Sequence, residues 1–552
     1  MNNKMFKFSI APIIFLLLIM SAFISDNKED KDYFEISKNL RIFSSVYDKI
    51  NTFYVDEPVH GKLMKTGIDA MLKSLDPYTV YIPESDIEDY RFMTTGQYGG
   101  IGASIKKIDS LVVITEIFEN SPAHLSNLKV ADIIISVDGI ITKDKSISEI
   151  SSLLKGGLDT DVSIIIYRNN KQIDFTIKRK VIQVPSVPYY GIISENIAYI
   201  KLTSFTKTAS SELSSALKEL TQDSTINNVI IDLRGNGGGL LNEAVEIVNL
   251  FVPKNQLVVK TKGRIEEINR NYMTMNTPLE ENIPLVILID DYSASASEIV
   301  AGSIQDLDRG VIIGVNSFGK GLVQQTKSLN FGSSIKLTVA KYYTPSGRCI
   351  QKLDYTNKTD NGNVNEFADS LVKKYYTKNG REVLDSRGIE PDLKVDELYF
   401  SKLSQKLIIE DYIFEYVNNY VKNKDSISVI SEFNLNDEEY LDFISFISSK
   451  NIDYTSDSKL VFDDLIDIAK REKYYEDNKQ LLDNLEKEFK PVLKDDLLRY
   501  KKEIILVIEN EIISRYYYQS GRIQASLKDD YYIKQVIEVF SDTALYNSIL
   551  RP

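Results

Sequence analysis

The sequence predicts a multidomain α/β chain: a small β-rich domain ahead of a larger α/β core, flanked by helical N- and C-terminal regions. Three observations predict it. The 552 residues are more than a single hydrophobic core usually supports. In mid-chain, apolar runs such as NNVIIDL and IPLVILI alternate with amphipathic stretches of helical period, the signature of an α/β core. Beyond residue 396 the glycines stop, Gly521 excepted, and Glu, Lys, Leu, Ile and Tyr dominate.

Composition narrows the chemistry. A net charge of −13 argues against a chain-wide affinity for nucleic acid or acidic lipid. The single cysteine, Cys349, excludes an intrachain disulfide and a cysteine-based zinc site. His60 and His124 are the only histidines, and both precede the candidate catalytic region. A Ser-His-Asp triad would have to borrow one of them. No metal and no cofactor is expected.

Taken in order, residues 1–25 read as a signal peptide or signal anchor. Lys4 and Lys7 precede an apolar run from Phe8 to Ile24, and the acidic SDNKEDKD follows. The run is at the short end of the ~17–25 residues that span a bilayer. No cysteine lies directly after it, so it is not a lipoprotein signal. The rest of the chain is expected outside the cytoplasm, periplasmic or anchored to the membrane by this segment.

Residues 33–95 carry apolar side chains at helical spacing in ISKNLRIFSSVYDKINTFYV and HGKLMKTGIDAMLKSL, with Asp76-Pro77 breaking the second. A packing or dimerising helical region is expected. Residues 96–183 open on GQYGGIGASI and continue with short strands around helices at SPAHLSNL and SISEISSLLKG. No βαβ unit follows the glycines, which argues against a dinucleotide site. This order resembles a PDZ domain, in which a glycine-rich loop binds a peptide's terminal carboxylate and the next strand accepts the peptide by β-augmentation. The resemblance makes Gly100, Ile101, Gly102 and Ala103 the carboxylate loop. Asn127 and Val130-Ala131 depart from it, standing where glycine and Pro-Gly are common.

Residues 184–395 form the α/β core, with KLDYTNKTDNGNVNEF as a polar surface insertion. Residues 396–552 read as helical, with Leu482, Leu485 and Phe489 on one face and Ile504, Ile508 and Ile512 on another. A solvated, partly self-packed helical cap is the expectation for them. An oligomerisation or partner-binding role stays open beside it.

Chemistry concentrates in three stretches of the core. DLRGNGGG lies between a strand and a helix, where backbone N–H groups are free to meet an anion. A phosphate, the oxyanion of an acyl-transfer intermediate and a merely tight turn all fit it. DDYSASASEI puts Ser293, Ser295 and Ser297 where a buried strand hands over to a helix. FGKGLVQQ sets Lys320 between two glycines, with Gln324 four residues on. A serine needs a base, and with histidine scarce lysine is the main alternative. A lysine of reference pKa ~10.4 is neutral in only roughly one molecule in 2,500 at pH 7. Lowering that value by about 3 units costs ~4 kcal/mol, which burial can supply. A non-catalytic scaffold that binds C-terminal peptides, and a nucleotide site at GNGGG, are the competing classes.

DLRGNGGG, SASASEI and FGKGLVQQ, preceded by the PDZ-like domain, resemble the carboxy-terminal processing peptidases, or tail-specific proteases. DPYTVYIPES, SVPYYGII with YIKLTSF, and YTPSGRCIQ with GIEPD extend the resemblance over residues 35–395. It implies a crotonase/Clp-protease-like α/β core and a serine endopeptidase acting on protein C-terminal tails. It also implies Ser295 as nucleophile, Lys320 as general base, Gln324 as its assistant, and the N–H groups of Gly238 and Ala296 as the oxyanion hole. Gly235 and Gly237 stand where bulkier residues or proline are common. The expected partners are protein substrates held by their tails, an adaptor protein and a second copy of the chain, and no nucleic acid.

Overall fold

The structure, a computed structural model, describes residues 27–358, 363–396, 400–450 and 452–551. The segment read as a signal peptide or anchor lies outside the described residues. Among those that are described, no helix is long and apolar enough to cross a membrane.

The described residues up to 81 form one compact unit and those from 82 onward another. The first contains α1 (Asn27–Phe53) and α2 (His60–Lys73). After α2 the Asp76 carboxylate accepts the N–H groups of Tyr78 and Thr79, which turns the chain at Asp76-Pro77. A short strand, β1 (Val80–Ile82), leads out of this unit.

The second unit opens with α3 (Ile87–Thr95), ended by Gly96 in the left-handed conformation. Next come β2 (Gln97–Gly100), β3 (Ala103–Ile108), β4 (Leu111–Ile117) and the short α4 (Pro122–Leu125). β5 (Ile133–Val137), β6 (Ile140–Ile141), α5 (Ile147–Leu154), β7 (Asp161–Arg168), β8 (Lys171–Lys178) and β9 (Lys180–Gln183) complete the β-rich domain. Its sheet runs β3-β4-β5-β7-β8, every pair antiparallel, while β2 pairs with β9. Along β7 every second residue is buried, which puts Val162, Ile164 and Ile166 in the core. Ser146 begins α5 with a reciprocal cap from Glu149, as SISE in the sequence suggests. The two departures from the PDZ pattern fall on strained backbone, since Asn127 has φ +63° and Ala131 φ +72°. Both are conformations that glycine takes freely; asparagine tolerates them, and alanine there costs roughly 1–2 kcal/mol.

The core begins with β10 (Tyr189–Ser194), β11 (Ile197–Lys201), α6 (Ala209–Thr221), β12 (Asn228–Asp232) and α7 (Leu241–Asn249). β13 (Leu257–Gly263), β14 (Arg270–Met273), β15 (Leu285–Ile289), α8 (Ala296–Asp306) and β16 (Val311–Gly314) follow. β17 (Leu322–Ser328), β18 (Ser334–Tyr343), β19 (Lys374–Tyr376), β20 (Glu382–Leu384) and β21 (Leu393–Lys394) end it. The main sheet has the order β10-β11-β12-β15-β16-β21, parallel except for the β10–β11 pair. Every residue of β12, β15 and β16 is buried, which is why these strands read as unbroken apolar runs.

One face of this sheet is covered by α6, α7 and α8. The other is covered by the end of the chain. The helical region comprises α9 (Lys402–Ile409), α10 (Tyr412–Val421), α11 (Asp437–Ser448), α12 (Asp457–Arg471) and α13 (Tyr475–Phe489). It continues with α14 (Leu493–Arg499), α15 (Lys501–Ser526), α16 (Tyr531–Ser541) and α17 (Thr543–Leu550). Ile533, Val536 and Val539 of α16, with Tyr546 and Leu550 of α17, pack on Tyr199, Ile230, Val286, Leu288 and Ile313. Each such apolar side chain taken from water contributes about 1.5–3 kcal/mol. Ile504, Ile508 and Ile512 are fully buried in a separate helical core, whereas Leu485 and Phe489 are more than a third exposed. The expected solvated cap is therefore partly a structural wall of the α/β core.

Candidate active site

Three neighbouring parallel strands, β12, β15 and β16, deliver the three motifs to one edge of the sheet. In open parallel sheets the crevice beyond the C-terminal strand ends is the usual ligand site. After β12 the chain enters RGNGGG, after β15 it enters DDYSASAS, and after β16 it runs through NSFGK. These loops hold each other. Gly235 N–H donates to the Asp290 carboxylate at 2.9 Å, Ala294 N–H to Asn236 O at 3.0 Å and Phe318 N–H to Ser293 O at 3.1 Å.

The structure separates the three serines. Ser293 is fully buried; its hydroxyl donates to Leu233 O at 2.9 Å and accepts the Asp290 N–H at 2.9 Å. Ser297 is also fully buried and donates to Asn236 O at 2.8 Å. Ser295 alone is partly exposed. It sits just before α8 with φ +56° and ψ −109°, a backbone conformation that costs of order 1–3 kcal/mol for a residue with a side chain. Strain of that kind persists where the surroundings over-determine it, and the surroundings here are identifiable.

The main one is Glu298, three residues into α8 and completely buried. Its Oε2 accepts the N–H of Ser295 at 2.7 Å and the N–H of Lys320 at 2.9 Å. Its Oε1 accepts the Ser317 hydroxyl at 2.6 Å and the Gly319 N–H at 2.7 Å. One carboxylate thus ties the backbone of Ser295 to that of Lys320. Burial pushes the Glu298 carboxyl above its ordinary value, and the four hydrogen bonds pull it back only in part. The Ser317 oxygen also accepts the Ile389 N–H at 2.7 Å, which ties the segment around Ile389 to the same carboxylate. The only local signal for Glu298 is Ser295-x-x-Glu298, the spacing of a helix-capping pair.

The other side of the Lys320 segment is clamped as well. Gly321 N–H donates to Gln351 Oε1 at 2.9 Å, and Lys352 N–H to Gly319 O at 2.9 Å. Gly319 has φ +88°, and a Cβ there would lie 2.4 Å from that of Lys352, so both the turn and the close approach require glycine. Gln324 lies on β17, opposite Thr338 of β18, and its Nε2 donates to Thr338 Oγ1 at 3.2 Å.

The glycine loop meets the serine loop at Gly238. With φ +99°, a Cβ on Gly238 would lie 2.6 Å from Ala294 O and 2.9 Å from Ala296 N. Ala296 is the first residue of α8, so its N–H has no acceptor within the helix. Gly238 departs from expectation in one respect: its N–H donates to Asn236 Oδ1 at 2.9 Å instead of standing open. An asparagine two residues before a glycine closes such a turn locally. Gly238→Ala keeps the N–H but its Cβ forces the loop to move, and turnover is expected to fall by about 10²-fold or more, the scale of a misplaced oxyanion donor. It should also lower stability by about 1–3 kcal/mol through forced strain. Steady-state kinetics and thermal denaturation measure the two effects, and wild-type turnover would argue against the loop's role.

In the β-rich domain, Gly100 ends β2 opposite Lys180 and Ala103 begins β3 opposite Ile117, so the connecting loop is shorter than Gly100–Ala103. It consists of Ile101 and Gly102. Their carbonyls accept from Ala123 N–H and Phe118 N–H at 2.8 and 3.0 Å. Neither loop N–H has an acceptor among the described residues. β3 is an edge strand, free on one side to take an added strand.

His124 accepts Asn120 N–H on Nδ1 at 2.9 Å, and its Nε2 is 2.8 Å from the Tyr518 hydroxyl. It is committed to the contact between the β-rich domain and α15. Among the described residues no cluster of His, Cys, Asp or Glu could hold a metal ion.

Comparison with known proteins matches this layout. Residues 196–360 match peptidase family S41, residues 99–178 a PDZ domain, and residues 403–540 the probable PDZ-protease C-terminal helical domain. The chain is 33 % identical over 345 residues to the carboxy-terminal-processing protease of Bartonella bacilliformis, covering 62 % of this chain and 78 % of that one. It is 34 % identical over 316 residues to a probable CtpA-like serine protease of Staphylococcus aureus, covering 56 % and 62 %. A solved photosystem II D1 C-terminal processing protease aligns at 24 % identity over 64 % of this chain and 92 % of its own, with a TM-score of 0.34. The chain belongs to peptidase family S41, as a carboxy-terminal-processing serine protease that carries a PDZ domain.

Proposed function

We propose that this protease cleaves polypeptides delivered by their C-terminal tails, using Ser295 as nucleophile and Lys320 as general base. The observation that carries the reading is the Glu298 carboxylate, which accepts from the backbone of both residues at 2.7 and 2.9 Å. Exposure supports the choice of Ser295, because the hydroxyls of Ser293 and Ser297 are buried and already donate to carbonyls.

In the first step neutral Lys320 takes the Ser295 hydroxyl proton as Oγ bonds to the scissile carbonyl carbon. The oxyanion that forms is met by Ala296 N–H and by the glycine loop, where Gly238 N–H exchanges Asn236 for the substrate oxygen. Lys320 then protonates the leaving amine, and the C–N bond breaks to give an acyl-enzyme. Water attacks the ester, Lys320 accepts its proton and returns it to Ser295 Oγ. Gln324, four residues beyond Lys320, steadies the lysine segment from β17 without adding charge.

The PDZ domain captures the tail at Ile101 and Gly102, and β3 takes the peptide as an added strand. The work is done outside the cytoplasm, after export directed by the N-terminal segment, in processing or quality control of envelope proteins. Two substrates that differ only in a free or amidated C-terminus test the capture step. A charge-assisted hydrogen bond contributes roughly 1.5–3 kcal/mol, so amidation is expected to raise KM by about tenfold or more with kcat little changed. Equal KM values would remove the carboxylate loop from the account.

A further inference from the structure

The glycine loop is anchored from below by the C-terminal helical domain. Arg234, the residue immediately before Gly235, is largely buried. Its Nη2 lies 2.6 Å from Asp232 Oδ2 and 2.7 Å from Oδ2 of Asp530, the residue that caps α16. The guanidinium also stacks over Tyr532 of α16, 4.6 Å from the ring centroid. On the sheet side, Arg234 N–H donates to Asp232 Oδ1 at 2.9 Å and Lys201 Nζ donates to Arg234 O at 2.7 Å. Tyr199 hydroxyl donates to Asp232 Oδ2 at 2.7 Å. The next residue, Gly235, is held by Asp290, where the Ser295 loop begins.

Charge decides what Asp530 is for. Lys201 and Arg234 are two cations under the loop, and among the described residues of the α/β core Asp232 is the carboxylate that pairs with both. Burial alone would raise the Asp232 carboxyl and lower the Arg234 guanidinium. Their mutual attraction, with Lys201 and Asp530, more than offsets it and holds both firmly ionised. Asp530 brings the cluster to two charges of each sign. Without it a surplus cation stays in a poorly solvated site, and the easiest relief is for Arg234 to swing toward water. That motion would drag Gly235 and the loop to Gly239 with it.

We infer that Asp530 is a positioning residue for catalysis: through Arg234, the helical domain fixes the loop that receives the oxyanion. This rests on the reading of residues 234–239 as the oxyanion loop. It gives the C-terminal domain a part in turnover, and no contact with substrate is needed for it.

The test uses the full-length protein in four forms: wild type, Asp530→Asn, Asp530→Glu and Ser295→Ala. Asparagine keeps an oxygen for the Tyr532 and Ile533 N–H groups that Asp530 Oδ1 now caps at 2.8 and 3.4 Å, so α16 is preserved while the charge is lost. Asp530→Asn is expected to lower kcat by about tenfold with KM unchanged, and Asp530→Glu to recover most of it. Wild-type kcat in Asp530→Asn, a change confined to KM, or an equal loss in Asp530→Glu would overturn the inference. Ser295→Ala separates the two layers. Should it retain activity, the proposed site itself fails; should it be inactive while Asp530→Asn is normal, only the positioning role fails.

Discussion

Replacing Ser295 by alanine is expected to lower kcat on a tail-bearing substrate by about 10⁴-fold or more, and replacing Lys320 by alanine to do the same. The double variant should be no worse than either single one, because nucleophile and base act as a unit. The neighbouring serines offer no substitute. Ser293 and Ser297 are fully buried, with hydroxyls bonded to Leu233 O and Asn236 O. Freeing either would break a buried hydrogen bond, at about 0.5–1.5 kcal/mol, before any chemistry began. Neither substitution disturbs the Glu298 bonds, which run to the backbone N–H groups of residues 295 and 320. Both variants should therefore keep close to wild-type melting temperatures, which separates loss of chemistry from loss of fold. Burst and steady-state kinetics check the rates, and residual turnover near wild type in either variant would refute the dyad.

Glu298→Gln is expected to damage both stability and activity. Four donors converge on two carboxylate oxygens in a fully buried site. Glutamine offers one oxygen, an NH₂ group and no charge, so at least one backbone N–H would face another donor and the remaining bonds would lose their charge assistance. With charged hydrogen bonds contributing roughly 1.5–3 kcal/mol, the loss should be roughly 3–5 kcal/mol by chemical denaturation. Turnover should fall by about 10²-fold or more in the fraction that stays folded, because the strained Ser295 and the Lys320 segment lose their common anchor. A pH signature accompanies this. The folded-state value of Glu298 lies above the ordinary carboxyl value. It therefore contributes stability that is fully present below the unfolded value of about 4.5 and lost as pH rises through the folded value. The variant lacks this titration, so its stability should be flatter across that window.

What the sequence discloses and what it withholds follow the range of the interactions. Strands β12, β15 and β16 are buried on both faces, so their runs of Val, Ile and Leu announce a parallel sheet from local pattern alone. The loops at their ends are legible as glycine-rich and serine-rich turns for the same local reason. Glu298 is half legible. Its bond to Ser295 spans three residues and fits a capping pair, but those to Ser317, Gly319 and Lys320 cross 19 to 22 residues. Only the folded sheet brings those partners together. The Asp530–Arg234 pair crosses 296 residues and has no local signal at all. The same holds for the wall that α16 and α17 lay on the sheet, since Ile533, Val536 and Val539 read equally well as a face for other helices. At the glycine loop, the Asn236 side chain holds the Gly238 N–H in this conformation, a contact the GNGGG string does not announce.

The most direct test of the central claim is mass-spectrometric mapping of an acyl-enzyme. The protease would be mixed with an activated ester of a short peptide, quenched in acid within one turnover and digested. Fragmentation then locates the added acyl group. An adduct on Ser295 is expected, absent from the Ser295→Ala variant and hydrolysed over time in the wild type. An adduct on Ser293, Ser297 or any other residue, formed at the rate of turnover, would contradict it.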